Sequence, residues 1–99
     1  MAMNATKYPN NSRTVSGLNV VVFDNDVELS VNTSTIACSI DLPAIASGYW
    51  NTTWKLYVFD ASNNAAANNI TINAGSGQKI NGASSLVINT NGAGIMVRV

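Results

Sequence analysis

The chain has no histidine, and that absence removes a Ser-His-Asp triad, a Cys-His nucleophile pair and any histidine-ligated metal site. It has a single cysteine, Cys38, which can form no internal disulfide, so this is not a disulfide-stapled secreted module. Charge is scarce as well. Asp, Glu, Lys and Arg make up 10% of the residues, against about 25% in an average soluble protein, and the formal net charge is 0. The five cations, Lys7, Arg13, Lys55, Lys79 and Arg98, are scattered, which argues against a nucleic-acid partner, since neutralising phosphates needs clustered Lys and Arg. No apolar run is long enough to cross a bilayer as a helix, and the opening MAMNATKYPNNSRTVSG is polar rather than signal-like. The expectation is a chain made in the cytoplasm with no membrane insertion. A phosphate-cradling loop ending in Lys-Ser or Lys-Thr is missing too, and the glycines of NAGSGQ read as turn residues between strands.

In place of charge there are Asn, Ser and Thr, which supply roughly a third of the chain and make a neutral polar surface. Copies of such a surface repel one another little, so a homo-oligomer is expected. Ninety-nine residues allow one domain with a modest core.

The patterning is all-β. Residues 1 to 16, with Pro9 and few large apolar side chains, read as an extended arm, and residues 17 to 99 as the β domain. An apolar run at 18 to 23, a turn at Asp24-Asn25-Asp26, and then Val27, Leu29 and Val31 alternating with Glu28 and Ser30 predict a hairpin. Ile36, Cys38, Ile40 and Leu42 keep period two up to Pro43, and Trp54, Leu56 and Val58 share one face of the next strand while Lys55, Tyr57 and Phe59 share the other. Ala65-Ala66-Ala67 is long enough for one helical turn only. Further strands are predicted at 70 to 73, 78 to 81, 85 to 90 and 94 to 99, with Gly75, Gly77, Asn81-Gly82 and Asn91-Gly92 between them as hairpin chemistry. Strands near 20 to 23, 56 to 59, 86 to 88 and 95 to 97 are apolar on both faces, so the surplus face needs a second sheet or a partner subunit to cover it.

The wording D-x-S-x-N-A-x-x-N-x-I-T-I from Asp60, followed by Q-x-I-N-G-A-S-S from Gln78 and T-N-G-A from Thr90, resembles a small β domain of tail fibres, head fibres and related appendages of tailed bacteriophages. The matching pattern covers roughly residues 18 to 99, with Ile40-Asp41-Leu42-Pro43 as a strand-ending L-P. One departure is that such domains usually continue into a further Asp-Gly and Trp-containing hairpin, whereas this sequence stops at Val99. The resemblance implies a non-enzymatic structural part of a virion. It implies a small antiparallel β-sandwich or β-prism-like unit, wound with two copies into a homotrimer and attached to other virion proteins through residues 1 to 16. A capsid decoration protein and a carbohydrate-binding module are the alternatives.

Candidate chemistry is thin. Asp24, Asp26 and Glu28 form a D-N-D-x-E cluster, but the glycine and distant glutamate of a calcium loop are missing, and an Asx-type turn explains the same residues, so no metal and no cofactor is expected. Asp41 and Asp60 lie near strand ends, separated by a loop, with nothing to suggest a glycosidase pair. Cys38 reads as a core thiol. Trp54 reads as core from its alternation, whereas Tyr49 and Trp50, on a loop, are the candidate contact for a partner chain or a host-surface glycan. Five Asn-x-Ser/Thr sequons, starting at Asn4, Asn10, Asn32, Asn51 and Asn69, are expected by chance in so Asn-rich a chain.

Overall fold

The computed structural model describes residues 11–22, 26–42 and 55–98. Among them are strands β1 (Asn11–Val15), β2 (Val20–Val21), β3 (Asp26–Val31), β4 (Cys38–Asp41), β5 (Leu56–Asp60), β6 (Ile70–Asn73), β7 (Ser85–Ile88) and β8 (Gly94–Val97), and no helix. One sheet has the order β1-β3-β5-β8 and the other β2-β4-β6-β7. Up to β6 the chain changes sheet after every strand, and each return lays a new strand parallel to the previous one: β1 to β3 to β5, and β2 to β4 to β6. The path is a flattened coil. Its layers are β1 with β2, β3 with β4, and β5 with β6. The chain then reverses, so that β7 runs antiparallel to β6 and β8 antiparallel to β5.

Alternating side chains fill the inside of this coil. Arg13, Leu29, Val58 and Ile95 share one rung of the first sheet, and Val20, Ile40, Ile72 and Leu86 share one rung of the second. Residues of both sheets belong to a single buried cluster, in which Leu29, Val31, Ile40, Leu56, Val58, Ile70, Ile72 and Val97 are fully enclosed. Each such side chain contributes about 1.5–3 kcal/mol of burial. Parallel neighbours need a crossover, and here the crossover is itself a strand of the opposite sheet.

Several expectations are corrected by this topology. The sheets are mixed rather than antiparallel, with parallel pairing in four of the six strand pairs. The predicted hairpin of residues 18 to 31 does not form, because β2 pairs with β4 while β3 pairs with β1 and β5. Period-two alternation reports which face of a strand is buried, not which strand lies beside it. Of the supposed arm, residues 11–15 are β1, an edge strand of the first sheet, and residues 1–10 lie outside the described residues. The strand expected at 78 to 81 shrinks to a single bridge between Ile80 and Ala83. Ile36 is 45% exposed and leaves the inward row that Cys38 and Ile40 keep.

β6 pairs instead with β7, Ile70 opposite Ile88 and Ile72 opposite Leu86, across the segment where a separate strand was expected. Asn81-Gly82 does what its residues favour. With φ of 49° and 83° it makes a turn closed by Ile80 and Ala83, whose amides and carbonyls exchange two bonds of 2.8 Å. The Ala65 region makes one turn, in which the Ala67 and Asn68 amides donate to the Asn64 carbonyl.

Candidate functional site

The predicted contact residues Tyr49 and Trp50 lie outside the described residues, as do Asp24 and Trp54. Glu28 is engaged with β1, accepting a 2.7 Å bond from the Ser12 hydroxyl. Among the described residues no three His, Cys, Asp or Glu side chains come together. Asp41 and Asp60 are not a pair. Asp41 lies on β4, where Asn73 Nδ2 donates to its Oδ1 at 2.9 Å. Asp60 ends β5 in the other sheet and points inward.

Cys38 is 1% exposed. Burial pushes its thiol up to about 11, which keeps it protonated and unreactive at neutral pH.

Asp60 is the polar centre of the molecule. It occupies the inward rung that Val15 and Val31 occupy in the two layers before it, yet it is only 3% exposed. A carboxylate there must be satisfied by donors. Oδ1 accepts from the Asn63 amide at 3.1 Å, the Ser62 hydroxyl at 3.3 Å and the Thr33 hydroxyl at 3.4 Å. Oδ2 accepts from the Ala65 and Gly92 amides, each at 2.9 Å. None of these donors is a cation. Burial, the largest single influence, pushes the Asp60 carboxyl up. The bonds from Gly92, Ala65, Ser62 and Asn63 together outweigh it and hold the group below the ordinary value of 3.8.

The donors come from three corners: residues 32–37 between β3 and β4, 61–69 between β5 and β6, and 89–93 between β7 and β8. Second contacts tighten the knot. The Thr33 amide donates to Ser62 Oγ at 2.8 Å, Asn68 Nδ2 donates to the Thr33 carbonyl at 2.7 Å, and the Ala66 amide donates to Asn91 Oδ1 at 2.9 Å. Sequence reasoning passed Asp60 over because it looked only for a second carboxylate. The available signal was D-x-S-N-N at a strand end, the chemistry of an Asx turn.

Among the described residues β8 is an edge strand, and a second device closes that edge. The Asn81 amide donates to the Arg98 carbonyl at 2.8 Å, Asn81 Oδ1 accepts from the Arg98 amide at 2.9 Å, and Asn81 Nδ2 donates to the Met96 carbonyl at 3.1 Å. One asparagine thus replaces a neighbouring strand, the usual remedy for an exposed edge.

The outer face of the first sheet is partly apolar. Tyr57 and Phe59 stack with ring centroids 5.6 Å apart, and Met96 pairs with Tyr57 across to β8. The Tyr57 ring lies over Gly94, where a Cβ would collide with its hydroxyl and stand 2.9 Å from Phe59 Cβ. On the second sheet Val21 and Val87 face outward, 56% and 50% exposed. These are the surplus apolar positions that the alternation pattern pointed to.

No family model and no curated protein matches the sequence.

Proposed function

We propose that the chain is a non-enzymatic structural domain of a tailed-bacteriophage appendage, a head fibre or tail fibre, in which three copies associate and the residues before β1 attach the domain to the particle. The observation that carries this reading is a coincidence of residues. The phrases that resemble fibre domains supply Asp60, Ser62, Ala65, Asn68, Asn81 and Gly92, the same residues that knot the corners and clasp the β8 edge. The resemblance therefore rests on fold-closing positions rather than on scattered surface similarity. Outward-facing Val21, Tyr57, Val87 and Met96 supply apolar area of the kind a subunit contact uses.

In this reading the two sheets act as a sandwich, and the virion is the site of action. The host cytoplasm is where the chain is made, and host-surface glycan is a further partner through Tyr49 and Trp50. Absolute mass by light scattering behind a sizing column is the test, with three times the chain mass expected and a clean monomer rejecting the trimer. Deleting residues 1–10 leaves β1 in place and is expected to abolish attachment to purified particles; unchanged attachment would reject that role for the segment.

A capsid decoration protein is the second reading. It shares the fold-closing residues and differs in copy number per particle, which quantitative gel analysis of virions measures.

A further inference from the structure

The chain carries two Asn-Gly dipeptides, Asn81-Gly82 and Asn91-Gly92, the pairing in which an asparagine amide is most readily lost. In that reaction the glycine backbone nitrogen gives up its proton and attacks the asparagine Cγ. A C–N bond forms, the Cγ–Nδ2 bond breaks, ammonia leaves, and a five-membered succinimide results. Solvent water then opens the ring at either carbonyl, leaving aspartate or isoaspartate. The reaction needs a free glycine nitrogen and a mobile side-chain amide.

The two dipeptides meet these needs differently. At Asn91-Gly92 the attacking nitrogen itself is held, because the Gly92 amide donates to Asp60 Oδ2 at 2.9 Å. Removing that proton would place a nitrogen anion against a buried carboxylate. The electrophile is held too, since Asn91 Oδ1 accepts the Ala66 amide. At Asn81-Gly82 it is only the side-chain amide that is held, at both ends, by the Met96 carbonyl and the Arg98 amide. Among the described residues the Gly82 amide makes no hydrogen bond.

We propose that Asp60 has a protective role beyond closing the corners: it guards Asn91-Gly92, an exposed modification site, against deamidation by immobilising the attacking Gly92 nitrogen. The exposure of Asn91 and Gly92 makes the guard necessary, because solvent reaches the dipeptide freely. The proposal does not depend on the fibre reading.

The test is peptide mass spectrometry, with isoaspartate detection, on the full chain incubated at mildly alkaline pH. In the folded wild type Asn91 is expected to stay intact while the urea-denatured chain loses the amide at both asparagines. In Asp60→Asn the Asn91 rate is expected to rise roughly tenfold or more, the rate equivalent of one hydrogen bond to a charged acceptor, with the Asn81 rate unchanged. Thr33→Val loosens the same knot but keeps the Gly92 bond, so its Asn91 rate is expected to stay at the wild-type level. Equal Asn91 rates in the folded and denatured wild type would overturn the proposal. So would equal acceleration at both asparagines in Asp60→Asn, or acceleration at Asn91 in Thr33→Val as large as in Asp60→Asn.

Discussion

The layer of β7 and β8 is fastened by side chains of two corners, whereas among the described residues the layer of β1 and β2 is tied chiefly by its ladder and a few polar bonds. Asp60 holds the Gly92 corner, and Asn81 clasps the outer edge of β8. At the other end β2 has only two residues in its strand. There Arg13 Nη2 donates to the Val21 carbonyl at 2.6 Å and the Asn32 amide to the Val15 carbonyl at 2.9 Å. A coil of stacked layers is stabilised by each layer's neighbours, so its ends are its weak points. Here one end is closed by reversing the chain, and Asp60 spreads that closure inward through the Thr33 and Ser62 corners.

Breaking the closed end should have the largest effect. Asp60→Asn turns a carboxylate acceptor into a group with two donors facing bound donors, and it is expected to cost about 3 kcal/mol or more in urea unfolding. The pH dependence follows from the same group. Its folded pKa is lowered, so its contribution is complete above the ordinary value of 3.8 and fades as pH falls from there through the lower folded value. Wild-type stability, measured by urea unfolding across pH 2 to 7 (roughly the range in which carboxylates titrate), should drop on the acid side, and Asp60→Asn should lose most of that drop. An equal acid limb in the variant would mean that another carboxylate is responsible.

Gly94→Ala comes next, at about 2 kcal/mol, because its methyl must displace the Tyr57 ring and meets the Phe59 Cβ. Loss of the near-ultraviolet tyrosine signal should accompany it. Adding Tyr57→Ala is expected to recover part of the stability, which would locate the cost at that contact.

Asn81→Ala should cost about 1 kcal/mol and speed exchange of the Arg98 amide while leaving β4 and β6 protected. Arg13→Ala, in the first layer, removes the bond to the Val21 carbonyl and should cost less than Asp60→Asn. In the wild type, amide exchange should be faster in β1 and β2 than in β5 and β6. Equal protection at the two ends would remove the contrast.

These contrasts also explain what the sequence could disclose. The strands and their buried faces were legible, because Leu29, Val31, Ile40, Leu56, Val58, Ile70 and Ile72 announce themselves by period two. Pairing was not. The sequence Asp24-Asn25-Asp26 suits a hairpin as well as a passage to the other sheet, and local chemistry does not choose between them. Asp60 was visible as a residue but not as a site, since its donors at Thr33 and Gly92 lie 27 and 32 positions away. The Asn81 clasp was hidden for the same reason, as the turn was legible and its partner strand was not. Of the outward apolar residues, the alternation named the positions but not which sheet each would belong to.

The winding has a consequence for how the chain is made. Except for β6 and β7, no strand pairs with the one that follows it, and β5 waits for β8. Contacts between distant segments slow folding, because loop closure precedes any reward. During synthesis the segments that become β2, β3 and β5 therefore emerge before all their neighbours exist, and apolar stretches such as Val20-Val21-Val22 stay open to other nascent chains in the meantime. The segment from Gly92 through β8 brings in a donor to the carboxylate and the antiparallel partner of β5 together. A ribosome-bound fragment ending before Gly92 should therefore stay protease-sensitive over most of its length, and emergence of β8 should convert it to a resistant form in one step.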